Sequence, residues 1–279
     1  MLDTDADRCG LVVPRQRDAD GQWKDYEVLN RNRLIALLAV IFADQSPGCA
    51  FVTDSVTSLG LATFLANLGI DHVRYLKGYA NVIGKAKELT DTGSCNAEVA
   101  IETSGHCAMQ ENDYQDDGTY TAVKVLSYLV QQTRRSRADS DGSGMDKMEK
   151  PATSPLLEAI AGLQEMPEVS ELRMKAVDGS NESTSATFEV LEAAVVEACG
   201  DARVGWTLDD ENLEGVRVNT SDEGSFFMLR QSLHDPILCL QIEATDKTAA
   251  REAVVGPLVA IMKKLGVEAN LNTDSLAQY

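Results

Sequence analysis

The chain has 279 residues, with 25 Lys and Arg against 44 Asp and Glu, so its formal net charge is −19. That charge excludes a nucleic-acid partner, because no broad basic field exists to displace counterions. The longest strongly apolar run, Leu34 to Ala43, is about half the ~20 residues that a membrane span needs, so a soluble protein without membrane partner is expected.

Taken in chain order, Leu34, Leu37, Leu38, Ile41 and Phe42 recur at helical spacing and predict a helix that ends at Ser46-Pro47-Gly48. Cys49–Thr53 reads as a short buried strand. Asp54 and Ser55 offer N-cap oxygens to the next helix, which runs through Leu61, Phe64, Leu65 and Leu68 to Gly69. A strand at His72–Leu76, a helix near Val82–Leu89, a strand at Ala97–Ile101 and a helix at Thr119–Val130 complete an alternation that implies a parallel three-layer α/β/α unit. From Arg134 to Pro155 the composition turns to Ser, Asp, Gly, Lys and Pro, the signature of a linker. Helices at Ser154–Gln164 and Ser183–Cys199 then precede strand-like runs at Leu213–Val218, Ser225–Leu229 and Ile237–Glu243. The first two of these predict a hairpin through the turn-rich Asn219–Gly224. A last helix, Asp246–Leu265, is capped by Asp246. Consecutive strands flanked by helices indicate a small α+β domain with an antiparallel sheet.

Six cysteines lie scattered without C-x-x-C spacing, and three histidines do not make a zinc set with them. They are expected to be core thiols. Gly78 to Gly84-Lys85 imitates a phosphate-binding P-loop but has one residue too many, and Ala86 replaces the hydroxyl that would reach magnesium; helix interior is expected.

Three constellations carry chemistry. The first is Asp3-Thr-Asp5-Ala-Asp7-Arg8. Along a flat strand, alternate residues stand roughly 6.6 Å apart, too far to share an ion. The backbone must curl for all three carboxylates to approach a Mg²⁺ at about 2.0–2.1 Å, and otherwise water solvates them. The second is Glu102-Thr-Ser104-Gly105-His106, directly after a predicted strand, where loops face the ligand crevice of an open α/β sheet. A carboxylate and a hydroxyl two residues apart suit adjacent sugar hydroxyls. The third is Arg230-Gln-Ser232-Leu-His234-Asp235-Pro236, in which an Arg fork, a hydroxyl and turn amides are parts of a phosphate cradle or of a polar hairpin.

In this order, the D-x-D-x-D-R loop, the E-x-S-G-H loop and the R-x-S-x-x-x-P loop resemble the α-D-phosphohexomutase superfamily, the phosphoglucomutases and phosphomannomutases, over nearly the whole chain. The stretches Phe51–Ser58, Lys77–Val82 and Asp116-Asp117-Gly118 are similar to a plant and algal plastid-like branch. The resemblance implies that residues 1–46 are the rear part of the second family domain with its metal loop. It further implies a sugar-binding third domain at 47–133, a linker at 134–155 and a phosphate-binding fourth domain at 156–279. Asp3, Asp5 and Asp7 would hold Mg²⁺, with Arg8 close to the phosphoryl site. Glu102, Ser104 and His106 would meet the sugar, and Arg230 and Ser232 the phosphate that is not reacting. The partners would be a hexose phosphate and its bisphosphate, and the compartment cytoplasm or plastid stroma. The reaction implied is phosphoryl transfer between positions 1 and 6 of a glucose or mannose phosphate. The family's T-A-S-H-N-P serine motif does not occur in these 279 residues, so the expectation is a homologue lacking the serine domain and inactive alone. A non-catalytic sugar-phosphate binder and an incomplete gene model are the alternatives. The usual G-T-E after the loop serine is Leu233, His234 and Asp235 here, which puts phosphate affinity in question.

Overall fold

A computed structural model describes residues 1–18, 20–140, 153–232 and 235–279. They divide into two units, Met1–Thr57 with Leu61–Gln164, and Ser58–Gly60 with Glu165–Tyr279.

In the first unit, β1 (Leu11–Arg17) and β2 (Trp23–Leu29) form an antiparallel ribbon. Pro14 lies inside β1, and only Val13 and Leu29 of the two strands are buried, which is why this pair does not read as strands in sequence. Helix α1 (Arg31–Gln45) follows, buried from Leu34 to Ala39 and at Ile41 and Phe42. Next come β3 (Ala50–Asp54), α2 (Leu59–Asn67), β4 (Asp71–Tyr75), α3 (Tyr79–Asp91), β5 (Ala97–Ile101), β6 (Cys107–Met109), α4 (Gly118–Ser140) and α5 (Pro155–Ala159). The sheet order is β4-β3-β5-β6, with β3 parallel to β4 and β5, and β6 antiparallel on the edge. Phe51, Val99 and Ile101 cluster with α1, α2 and α4 on one face. Ala50, Val52 and Ala100 cluster with Val82 and Ala86 of α3 on the other. Period-2 alternation along strands that are buried on both faces produces the expected three layers. Gly84 and Lys85 lie within α3, as expected for helix interior.

Two expectations change here. Asp54 is no N-cap: it is the last residue of β3, fully buried, and α2 starts five residues later at Leu59. The segment expected as linker from 134 to 155 continues α4 as far as Ser140, residues 141–152 lie outside the described residues, and Pro155 opens α5.

The second unit has a five-stranded sheet of order β7-β11-β10-β9-β8, whose pairings are all antiparallel. Its strands are β7 (Glu168–Lys175), β8 (Thr207–Leu208), β9 (Val216–Asn219), β10 (Phe226–Gln231) and β11 (Ile237–Ala244). Strand β9 starts at Val216, later than the expected Leu213, because Gly215 takes a φ of +57° and breaks the extended chain. Strand β7 went unexpected because it is an edge strand with Met174 as its buried residue, and its alternating charges carry little apolar signal. Helix α6 (Asn181–Cys199) begins where the Ser180 hydroxyl accepts from the Ser183 amide at 3.1 Å. The last long helix is built from α7 (Lys247–Ala250), a π-helical turn at Arg251–Val255, and α8 (Gly256–Leu265). Asp246 caps it by accepting from Thr248 and Ala249. Leu191 and Val195 of α6 pack with Leu258 and Met262 of α8 against Phe227, Leu229, Leu238 and Leu240. Helix α9 (Asp274–Gln278) ends the chain. No helix among the described residues is long and apolar enough to cross a membrane.

Candidate metal and sugar-binding site

The aspartate loop curls. Leu2 and Cys9 pair as an isolated antiparallel bridge, the Gly10 amide donates to the Met1 carbonyl at 3.0 Å, and Ala6 sits at φ +65°. A closed loop with one left-handed residue brings alternate side chains to one side, which a strand cannot do. Carboxylate oxygens of Asp3, Asp5 and Asp7 thereby lie within 4.8 Å of one another. Asp3 accepts from the Arg8 amide at 3.2 Å and from the Arg8 Nε at 2.5 Å. Desolvation alone would raise the Asp3 carboxyl, but these Arg8 contacts prevail and hold it at about 2. Asp7 Oδ1 is buried without a hydrogen-bond partner. A buried carboxylate oxygen without a donor is costly unless a cation serves it. The all-oxygen donor set fits a hard cation such as Mg²⁺.

Against this loop stands the Glu102–His106 turn. The Glu102 amide donates to the His106 carbonyl at 2.9 Å and the Gly105 amide to the Glu102 carbonyl at 3.0 Å, closing a tight turn after β5. Gly105 has φ +104°, and a Cβ there would stand 3.0 Å from the Cys9 carbonyl oxygen, so only glycine lets the two loops touch. The Cys9 amide donates to the Gly105 carbonyl at 3.3 Å, and Arg8 and His106 form an antiparallel bridge. Two motifs about a hundred positions apart in sequence are thus neighbours through main-chain bonds.

Within the turn, the Glu102 carboxylate is buried and accepts from the Gly78 amide at 2.7 Å and from the Ser104 hydroxyl at 3.0 Å, while Ser104 itself is exposed. His106 Nδ1 lies 2.7 Å from Asp116 Oδ2 and 3.6 Å from Asp7 Oδ2. Its ring stacks on Tyr79 with centroids 4.9 Å apart. Burial pushes the Asp116 carboxyl up in pKa, with His106 beside it pulling the other way.

Asp116, Tyr79 and Gly118 are site residues whose roles sequence reasoning missed. Asp116 accepts the Cys107 amide at 3.0 Å as well as facing His106. Asp117 accepts the Tyr120 amide and so caps α4, and the Gly118 amide donates to the Ala6 carbonyl at 3.1 Å. A Cβ on Gly118 would come within 2.7–2.9 Å of the Arg8 and Ala6 backbone. The D-D-G triplet was visible as a string, but only the fold gives each member its contact. Asp54, taken from sequence as a cap, accepts the Thr103 hydroxyl at 2.7 Å and the Lys77 ammonium at 3.4 Å. Burial raises its carboxyl, with Lys77 opposing. Arg8, expected beside a phosphoryl group, is here engaged with Asp3.

In the second unit, Arg230 near the end of β10 is buried, with Nη1 4.0 Å from the Glu214 carboxylate. The Ser232 amide donates to the Ile237 carbonyl at 2.9 Å, and its hydroxyl accepts the Asp235 amide at 3.3 Å. Leu233 and His234 lie outside the described residues. All the cysteines are free thiols, and burial raises Cys49 to about 11 and Cys107 to about 12, which suits packing rather than nucleophilic chemistry.

Residues 30–140 match the family model for phosphoglucomutase/phosphomannomutase, alpha/beta/alpha domain III. The match starts upstream of position 47 and takes in α1, whose apolar residues belong to the same core as β3 and α4. A phosphoglucosamine mutase of Paracoccus denitrificans is 23% identical over 265 residues, which is 94% of this chain and 46% of the relative. Over these spans the chain is similar to the phosphohexomutases. A phosphoglucosamine mutase of Gluconacetobacter diazotrophicus is 29% identical over 135 residues, 48% of this chain and 26% of the relative. Among solved structures, a phosphoglucomutase/phosphomannomutase family protein from Burkholderia thailandensis superposes with a TM-score of 0.64 at 23% identity, covering 97% of this chain and 47% of that one. The chain therefore spans less than half the length of these relatives.

Proposed function

We propose that these 279 residues supply the metal loop, the sugar-binding loop and a phosphate-binding loop of a phosphohexomutase, an enzyme of carbohydrate metabolism that moves a phosphoryl group between positions 1 and 6 of a hexose phosphate. The observation that carries this reading is the antiparallel seating of Arg8 on His106, which sets three carboxylates beside a carboxylate–hydroxyl pair suited to sugar hydroxyls. Asp3, Asp5 and Asp7 would hold a magnesium ion, which when bound supplies positive charge to a phosphoryl group in transfer. Glu102 and Ser104 exchange their mutual hydrogen bond for two to vicinal hydroxyls, and His106 lies alongside. Within the second unit, Arg230 offers a fork, and Ser232 a hydroxyl, to a phosphate group. The Paracoccus and Gluconacetobacter relatives are phosphoglucosamine mutases, and an amino-sugar phosphate is therefore a substrate to try beside glucose and mannose phosphates. The short strings shared with a plastid-like branch make the plastid stroma the compartment to test beside the cytoplasm.

The test is calorimetric titration of the chain with glucosamine 6-phosphate and glucose 6-phosphate in Mg²⁺. Hydrogen bonds to a charged group are worth about 1.5–3 kcal/mol, so Arg230→Ala should weaken binding roughly 10- to 150-fold. The T-A-S-H-N-P nucleophile is not among these residues, and turnover is expected only when a segment carrying it is supplied in trans. Binding that never yields turnover would favour a non-catalytic sugar-phosphate binder. No saturable binding of either ester would refute both readings.

A further inference from the structure

His106 has two carboxylate neighbours, of which the mutase reading uses only Asp7. Ligand atoms of Asp7, His106 and Asp116 lie within 4.8 Å of one another, and both Asp7 and Asp116 present an Oδ2 to the same ring nitrogen. Ligands about 2.0–2.1 Å from a tetrahedral zinc ion stand roughly 3.4 Å apart. The Asp7 separation of 3.6 Å already meets that spacing, and the Asp116 separation of 2.7 Å needs to open by well under one ångström. The remaining oxygen of each carboxylate distinguishes the two. Asp116 Oδ1 is occupied by the Cys107 amide, which fixes that side chain, whereas Asp7 Oδ1 is buried with no partner. Stacking on Tyr79 holds the imidazole plane in place.

The donor chemistry differs from that of the aspartate loop. One imidazole and two carboxylates form a mixed N,O set with charge −2 when the ring is neutral, which matches a borderline dication better than a hard one. We infer that Asp7, His106 and Asp116 form a second cation site, for a transition ion of the zinc class, and that it competes with the hard cation of the aspartate loop for Asp7. On binding, the ion bonds to the Nδ1 lone pair of the neutral ring, with the ring proton on Nε2, and any proton held between Nδ1 and Asp116 is released to solvent. Solvent fills the open coordination position. Binding of the zinc-class ion requires no sugar phosphate and no turnover, while its competition with Mg²⁺ rests on the magnesium site proposed above.

The experiment uses the full chain. Zinc chloride is titrated by calorimetry with and without excess Mg²⁺, and the imidazole nitrogens of ¹⁵N-labelled protein are followed by NMR. Zn²⁺ should shift the His106 Nδ1 resonance, and its apparent affinity should fall as Mg²⁺ rises. His106→Gln removes a ligand and should weaken Zn²⁺ by more than the roughly 10- to 100-fold that loss of an outer-shell partner costs, and should weaken Mg²⁺ far less. Asp3→Asn should do the reverse. Zinc affinity lost in Asp3→Asn but kept in His106→Gln would overturn the inference, because the ion would then sit on the aspartate loop. If melting shows that His106→Gln is unfolded, the wild-type spectrum decides. No imidazole shift with Zn²⁺, or a shift confined to His234 as assigned with His234→Gln, overturns it equally.

Discussion

Gly118→Ala tests whether the start of α4 positions the aspartate loop. The added Cβ would lie 2.7 Å from the Arg8 carbonyl carbon, 2.8 Å from its oxygen and 2.9 Å from the Ala6 oxygen. All three are main-chain atoms, so no flexible side chain can yield. Relief requires the loop to retreat by roughly half an ångström toward ordinary contact distance. That retreat lengthens the 3.1 Å bond from the Gly118 amide to Ala6, worth about 0.5–1.5 kcal/mol. Overpacking of this kind costs about 1–3 kcal/mol, and alanine's helix propensity returns at most about 1 kcal/mol at this first turn. The expected result is a melting temperature lowered by roughly 2–4 °C for each net kcal/mol. The larger effect should be on the ion, since ligand placement errors well under an ångström are enough to loosen a site. Differential scanning fluorimetry with and without Mg²⁺ measures both, with a smaller Mg²⁺-induced rise in the variant. An alanine variant that melts higher and keeps the full Mg²⁺ shift would refute the claim that Gly118 seats the loop.

Lys77→Met removes the ammonium facing the fully buried Asp54, and unfolding by urea should show a loss of about 2–3 kcal/mol at neutral pH, below the full cost of splitting a buried pair because Lys77 is partly exposed. The folded Asp54 carboxyl is raised by burial, so the native state binds that proton more tightly than the unfolded chain, and stability falls as pH climbs from the usual carboxylate range. Without Lys77 that fall extends to higher pH, so the variant should approach wild type in mild acid; an equal deficit at both pH values would contradict this. Arg8→Gln frees the Asp3 carboxylate from its 2.5 Å ion pair, and Mg²⁺ titration should show tighter binding at neutral pH; weaker binding would mean that Arg8 shapes the loop instead. Gly215→Ala drives a Cβ into the Leu229 carbonyl oxygen at φ +57°; the left-handed penalty of roughly 1–2 kcal/mol plus overpacking should lower the denaturation midpoint of the second unit. Emission from Trp206, buried against Phe227 in that unit, reports that shift, and an unchanged midpoint would refute it.

Much of the architecture was legible because apolar spacing tracks burial. Leu34–Phe42 and Ala50–Val52 are continuous apolar runs, Ala97–Ile101 is apolar except at Glu98, and they became α1, β3 and β5. Elements with little buried surface were not legible: β1, β2 and β7 are held by ladder hydrogen bonds, and side-chain pattern says little about those. Asp54 misled for a related reason. A carboxylate before an apolar helix looks like a cap, and only the sheet places it opposite Thr103 and Lys77.

The same division runs through the candidate site. By itself the sequence determined which donors exist, three carboxylates at Asp3, Asp5 and Asp7, and a carboxylate–hydroxyl–imidazole turn from Glu102 to His106, because residue type sets donor chemistry. Tertiary structure decided which of them can share an ion. Asp7 meets His106 and Asp116 through the bridge of Arg8 to His106 and the bare Cα of Gly118, contacts between segments about a hundred residues apart. Local spacing carries no record of such contacts, since they depend on how closely two backbones approach.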